Sequence, residues 1–159
     1  MTIRLAVKEE APLIHEVMMA AFAEYREMDV PSSALEETVE SIQQVLESGK
    51  EQALLYFDGK RPIGMVRFTL DETSLYFFRL SVRPDSRGKG IAKAMLRALE
   101  QYAKEHGCYE IRCSVRLSLT KNVRLYESMG YTILEERIVT AVNGSFVKTA
   151  EMQKQLSYT

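Results

Sequence analysis

Between Leu75 and Ala92 the chain passes from a nearly continuous apolar run, Leu75-Tyr-Phe-Phe-Arg-Leu-Ser-Val82, through Pro84 into Arg87-Gly-Lys-Gly90 and on into an amphipathic stretch. No other segment limits the possible folds as much. A run apolar at most positions is buried on both faces, so Leu75–Val82 reads as a central strand, and Pro84 ends it. From about Lys89 to His106, Ile91, Met95, Leu99, Tyr102 and Ala103 recur at helical spacing, and Gly107 closes the helix. A strand that enters a helix through glycines makes an anion site. Gly88 and Gly90 allow positive φ and close approach of a ligand. The unpaired N–H groups of the helix's first turn then face outward, backed by the positive end of its dipole. Arg87 and Lys89 add charge at the same place, and several amides with two cations suit a diphosphate better than a carboxylate. The plainer alternative is a flexible loop with a good helix start. Two commoner phosphate motifs are excluded. A P-loop needs Ser or Thr after Gly-Lys, but Gly90 follows Lys89, and a dinucleotide fingerprint needs a glycine where Lys93 stands.

The rest of the chain supplies the frame. Thr2–Val7 alternates as a first strand, and Ile14, Val17, Met18, Ala21 and Phe22 mark a helix from Glu10 to about Tyr25. Asp29 and Pro31 interrupt that pattern. Ser33 and Glu36 form a capping-box pattern for a second helix, which carries Leu35, Val39, Ile42 and Leu46 and stops at Ser48-Gly49. Gln52–Phe57 and Ile63–Leu70 flank the hairpin turn Asp58-Gly59, and a polar turn at Asp71–Ser74 leads into the central strand. Tyr109–Val115 reads as a further strand and Thr120–Met129 as a short helix stopped by Gly130. Tyr131–Val142 and Ser145–Gln155 form a last hairpin around Asn143-Gly144. With no repeat or linker, residues 1–159 read as one domain. Its class is α+β: a mixed, mostly antiparallel sheet of about seven strands flanked by about four helices.

Bulk properties narrow the partners. A net charge of −1 gives no general pull toward nucleic acid or an anionic membrane, so neither is an expected partner. No apolar stretch is long enough to span a bilayer, and the first residues lack the basic start and apolar run of a signal peptide. The cytoplasm is therefore the expected compartment. Cys108 and Cys113 are separated by an odd number of positions, so they point to opposite faces of one strand and cannot bridge. Cys108 is expected at the strand edge and Cys113 in the core. His15 is far from both cysteines and His106 lies two residues before Cys108, with no further ligand beside it, so no metal site is expected. The final hairpin could pair across a homodimer.

A second constellation is Asn122-Val-Arg-Leu-Tyr126, followed by Gly130-Tyr131. Asn122 and Tyr126, four apart, share one helix face. There a phenol can protonate a departing thiolate and an amide can hold a ligand's own amides; the alternative for Tyr126 is a core aromatic with its hydroxyl at the edge. Taken together, the two constellations resemble the GNAT superfamily of N-acetyltransferases. Its loop signature is filled here by Arg87, Gly90 and Ala92, with Gly88 the frequent extra glycine. Its later motif is filled by Asn122, Tyr126, Gly130 and Tyr131. The resemblance is strongest from Tyr76 to Tyr131, and the order of elements over nearly the whole chain agrees with it.

That resemblance implies acetyl-CoA as acyl donor and a primary amine of a small molecule or peptide as acceptor, by direct attack on the thioester. It implies that backbone groups of Leu80 and Val82 bind the pantetheine arm. The amides of Arg87, Gly88, Lys89, Gly90, Ile91 and Ala92 would take the pyrophosphate, Asn122 would help hold the coenzyme, and Tyr126 would protonate the leaving sulfur. One feature departs from the family. Many relatives carry a Glu on the strand matching Leu75–Val82 as base toward the amine, whereas this strand offers only Arg79 and Ser81 as polar groups beside its tyrosine. Glu24, Glu27 and Asp29 are the nearest candidates, and Glu24 and Tyr25 are the expected acceptor contacts, with Tyr76 and Phe78 on the nearby strand. The missing carboxylate also keeps open a second class: a coenzyme-A-binding regulatory module without turnover.

Overall fold

A computed structural model describes residues 1–23, 33–141 and 143–157. The elements are β1 (Thr2–Leu5), α1 (Ala11–Phe22), α2 (Val39–Ser48), β2 (Gln52–Asp58), β3 (Arg61–Leu70), β4 (Ser74–Val82), α3 (Ile91–Glu105), β5 (Glu110–Arg116), α4 (Thr120–Ser128), β6 (Thr132–Thr140) and β7 (Phe146–Gln155). The seven strands form one sheet in the order β1-β2-β3-β4-β5-β7-β6. Every pairing is antiparallel except β4 with β5. This is the expected α+β layout. Among the described residues, no helix is long and apolar enough to cross a membrane.

Strand alternation divides the core between the two faces of the sheet. On β2, Ala53, Leu55 and Phe57 point to one side, where Met65 of β3 meets Ile14, Val17 and Met18 of α1 and Ile42 of α2. On the other side Leu54, Val66, Phe68, Leu75 and Phe77 pack against Ile91, Met95, Leu96 and Leu99 of α3. The strip of apolar residues read from the sequence of α3 is therefore its buried face.

Several local readings change. The cap of α2 is Thr38, not Ser33. Its hydroxyl accepts from the Ser41 N–H at 3.1 Å, and the Ser41 hydroxyl accepts from the Thr38 N–H at 3.1 Å. Ser33–Glu36 instead forms a separate 3-10 turn. Helix α3 begins at Ile91, because Gly90 at φ +76 is its cap. The last hairpin closes on Ala141 and Ser145, joined by a 2.8 Å hydrogen bond, with Gly144 at φ +83. It is one residue wider than a two-residue Asn-Gly turn. Cys108 is not at an edge. It is fully buried at the end of α3, where its N–H donates to the Ala103 carbonyl at 2.9 Å.

Candidate functional site

The site arises where two strands part. β4 pairs with β5 only from Ser74 to Tyr76, against Glu110 to Arg112, although β4 continues to Val82 and β5 to Arg116. Beyond Tyr76 the β5-side edge of β4 faces a gap. A bulge contributes to the parting. Between the pairs Met65–Ser81 and Arg67–Phe78, two residues of β4, Arg79 and Leu80, oppose the single Val66. Arg79 adopts φ +58, unusual for a residue with a side chain. The Arg83 N–H, just past the bulge, donates to the Ile63 carbonyl of β3 at 2.9 Å. By alternation Val82 turns its own N–H and C=O away from β3, toward the gap, and Leu80 lies two residues back on the same edge.

An ion-pair cluster holds the bulge from behind. Glu37 accepts from Arg79 Nε at 3.0 Å and from an Arg67 terminal nitrogen at 2.7 Å, while Arg67 Nε donates to Glu51. The Arg67 side chain is only 4% exposed and its guanidinium stacks on Phe78, 5.2 Å from the ring centre. Burial opposes its charge, but the hydrogen bonds to Glu51 and Glu37 more than offset that and raise its pKa.

After β4, the turn Pro84–Ser86 leads into the glycine loop. Arg61 pairs with Asp85 at 2.7 Å and Arg83 Nε donates to the Pro62 carbonyl at 2.7 Å, which fixes the loop's entry to β3. The Arg61 hydrogen bond, chiefly, holds the Asp85 carboxyl below its usual range. Arg87 does two jobs here. Its N–H donates to Pro84 at 3.5 Å and its guanidinium to the Ala21 carbonyl at the end of α1 at 3.2 Å. Its amide is thus already engaged, unlike those that follow. Among the described residues, the N–H groups of Gly88, Lys89, Gly90, Ile91, Ala92 and Lys93 have no acceptor, and no side chain caps α3. A Cβ built on Gly88 or Gly90 meets nothing within 4 Å, so the space beside both glycines is open.

Gly88, Gly90, Ile91, Ala92 and Lys93 line a cleft of about 660 Å³, together with Leu80, Val82, Asn122 and Tyr126, whereas Lys89 is not among its lining residues. A second cavity of about 270 Å³ adjoins it, walled by Tyr76, Phe78, Arg79, Cys113, Ser114 and Arg116. The two share Phe22, Leu80, Leu119, Asn122 and Tyr126. Tyr126 therefore stands at the junction, 7% exposed, edge-on to Phe77 with ring centres 5.6 Å apart and 5.9 Å from Tyr131. Asn122, one turn before it on α4, faces the same junction. The structure brings together Leu80, Val82, Arg87, Gly88, Gly90, Ile91, Ala92, Asn122 and Tyr126 around one cleft. Glu24, Tyr25, Glu27 and Asp29 lie outside the described residues.

Two features of the second cavity were not anticipated. Cys113, read as a core residue, lines it at 1% exposure. Burial, and then the charge of Glu151, push its thiol up to about 12. Tyr76 is also raised, first by burial and then by Glu151. Among the described residues no Asp or Glu lines either cavity, and no group of three or more His, Cys, Asp or Glu side chains is placed to hold a metal.

The sequence pattern of the acetyltransferase (GNAT) family matches residues 15–131, well over half the chain. Among curated proteins, human N-acetyltransferase 8B is 38% identical over 63 residues, covering 40% of this chain and 28% of that protein. Mouse N-acetyltransferase 8 is 39% identical over 70 residues, covering 44% and 31%. The matched stretch thus spans less than a third of either relative. Among solved structures, the Salmonella typhimurium protein yncA, determined with its cofactor acetyl-CoA, superposes with a TM-score of 0.80 at 20% identity, over 100% of this chain and 95% of its own. A ribosomal-protein-alanine N-acetyltransferase from Brucella melitensis gives 0.80 at 17%, over 98% and 100%. A spermidine N-acetyltransferase from Vibrio cholerae gives 0.76 at 21%, over 99% and 96%. At these identities the likeness is one of fold.

Proposed function

The chain belongs to the GNAT acetyltransferase family, and from that premise we propose that residues 1–159 form one domain moving the acetyl group of acetyl-CoA to a primary amine. The observation that carries the reading is the run of acceptor-free amides from Gly88 to Lys93 at the start of α3, opening on a cleft large enough for an extended ligand. Such a nest fits a diphosphate, with Lys89 adding charge. Arg87 contributes through its guanidinium and by tying the loop to α1, since its own amide is already bonded. The free edge of β4 at Leu80 and Val82 offers peptide groups to an amide-bearing arm, as a sheet edge does to an added strand. Asn122 supplies a further donor and acceptor from α4.

Bound acetyl-CoA would supply an activated acyl group; the protein's part is to position and to move protons. Holding both reactants across the junction of the two cavities turns a bimolecular encounter into a local one. An N–H of the Leu80–Val82 edge can stabilise negative charge developing on the carbonyl oxygen. Tyr126, at the junction, donates its phenolic proton to the departing sulfur. Cys113 does not act as a covalent relay. A thiol that titrates near 12 is almost wholly protonated at neutral pH, which supports direct attack by the amine.

For the acceptor, we place a small amine or a peptide amine in the second cavity, against Tyr76 and Phe78, with Glu24 and Tyr25 nearest to it. Carboxylates beside aromatic faces suit a cationic amine. With no carboxylate lining the cavities among the described residues, Glu24, Glu27, Asp29 or bulk water takes the amine's proton. That same observation favours the second reading, a coenzyme-A-binding module without turnover. A thiol-release assay with acetyl-CoA against polyamines, amino acids, aminoglycosides and peptides separates the two. Amine-dependent release establishes the enzyme; tight acetyl-CoA binding with no release from any amine establishes the module. Glu24→Gln and Tyr25→Phe are expected to raise the acceptor's KM alone, and unchanged kinetics in both would move the specificity elsewhere.

A further inference from the structure

Helix α4 carries the proposed acid, yet little of it is buried. Tyr126 is its one fully buried residue, with Val123 and Leu125 half-buried against the core. The residues at its start, Ser118 to Asn122, line the open cleft. Its place therefore depends on its C-terminal end. There the Tyr126 carbonyl accepts from the Met129 and Tyr131 N–H groups, each at 3.0 Å, and the Glu127 carbonyl accepts from the Gly130 N–H at 3.0 Å. All three bonds stay within the helix and its own turn, so none reaches the neighbouring α3. Tyr131 packs on Tyr126 and Phe77, with ring centres 5.9 and 6.0 Å away. Its hydroxyl is buried and has no hydrogen-bond partner among the described residues, so contact alone holds the ring.

The tie to α3 comes from β7. Thr132 enters β6 opposite Gln153, which brings Lys154, the next residue of β7, beside the turn. Lys154 lays its stem across Gly130. A Cβ built on Gly130 would lie 3.2 Å from Lys154 Cε and 3.6 Å from both Cδ and Nζ, so a side chain there would displace the stem. The ammonium continues to Glu100 of α3 and pairs with it. The Lys154 and Glu100 side chains are 27% and 16% exposed, so salt screens this pair less than one on the open surface. One side chain thus joins the sheet, α3 and the turn behind Tyr126.

We propose that Lys154 is a positioning residue for Tyr126: by bridging Gly130 to Glu100 it fixes the phenol at the junction of the two cavities. The inference rests on the reading of Tyr126 as the acid that protonates the leaving sulfur. Such a donor must come within about 2.6–3.2 Å of the atom it serves. A displacement of about 1 Å can cost about 100-fold in rate. Released at its C-terminal end, α4 has the cleft to move into.

Lys154→Met keeps most of the stem over Gly130 and removes the ammonium, whereas Lys154→Arg keeps both charge and reach. Thermal melting and acetyl-CoA affinity check that each variant is folded. Lys154→Met is expected to lower kcat about tenfold with both KM values within about twofold, and Lys154→Arg to keep most of the rate. In a Tyr126→Phe background, Lys154→Met is expected to change kcat no further, because the group it positions is gone. A purely structural lysine would lower the melting temperature and leave kcat alone, or lower kcat by one factor in both backgrounds; either result overturns the proposal. A second readout needs no turnover. The Tyr126 ring signals of tyrosine-labelled protein, identified by their loss in Tyr126→Phe, are expected to shift in Lys154→Met and to stay in place in Lys154→Arg. Signals that Lys154→Met leaves unmoved overturn the clamp. Signals that do move, in a protein inactive on every amine, support the clamp and count against the enzymatic reading alone.

Discussion

Ala92 offers a substitution whose effects on stability and on binding have opposite signs. It is the second residue of α3, half-buried, on right-handed helical backbone, and it lines the cleft beside the acceptor-free amides. The first turn of α3 carries no acidic residue. A glutamate there meets the positive end of the helix dipole, which stabilises by about 0.3–1 kcal/mol. The same carboxylate competes for the place of a diphosphate. At a separation of about 5 Å and an effective dielectric of about 20, two unit charges repel by about 3 kcal/mol. Side-chain freedom and salt reduce this to about 2 kcal/mol, a loss of about 30-fold in affinity. Gly90→Glu is a poorer probe, since Gly90 sits at φ +76 and a side chain there costs about 1–2 kcal/mol of backbone strain. The assay is calorimetric titration with acetyl-CoA beside thermal melting, for Ala92→Glu and its neutral counterpart Ala92→Gln. The glutamate variant should melt at or above the wild type and bind far more weakly than the glutamine variant. Equal affinities in the two folded variants would refute the placing of a diphosphate at this turn.

Tyr126→Phe keeps the ring packed on Phe77 and Tyr131 and removes only the hydroxyl. It should lower kcat by about 10²–10⁴-fold with little change in the KM for acetyl-CoA, whereas a rate within twofold of wild type would show that the sulfur leaves without this proton. Glu37→Ala removes the carboxylate that bridges Arg67 and Arg79, leaving Arg67 its bond to Glu51, and should cost about 2–4 kcal/mol in denaturant unfolding, measured against the wild type; a loss below about 1 kcal/mol would mean that the cluster is solvated. The Cys113 thiol titrates near 12 in the folded state against 9.0 for its ordinary value, so the unfolded chain loses this proton first and stability falls as pH rises between those values. At pH 10 the loss from this group is about 1.4 kcal/mol relative to pH 7, and Cys113→Ala should lack that part of the drop; an identical pH dependence in the variant would show that the thiol is not buried as described.

What the sequence made legible was local. The glycine loop, the buried face of α3 and the succession of strands each follow from spacing within a dozen or so neighbouring residues. The pairing of Asn122 with Tyr126 on one face of α4 is equally local, and the structure sets both at the cleft. What stayed hidden depends on distant partners. Arg79 at φ +58 has no signature of its own, because the bulge exists only in the register of β4 against β3. Glu37 looks like one more charge ahead of a helix until the fold brings Arg67 and Arg79 to it from two strands. Cys113 reads as core because it is buried; that it also borders a cavity follows from β4 and β5 separating after Tyr76. The cap of α2 was misplaced because Ser33 and Glu36 fit the same local pattern that Thr38 and Ser41 fulfil.

The most direct test of the central claim is amide-resolved NMR during titration with acetyl-CoA. The largest shifts, and slowed hydrogen exchange, are expected on the amides of Gly88, Lys89, Gly90, Ile91, Ala92 and Lys93, with a second group at Leu80 and Val82. Arg87, already bonded to Pro84, should change less than its neighbours. Saturable binding that leaves these amides unperturbed and shifts a different surface would contradict it.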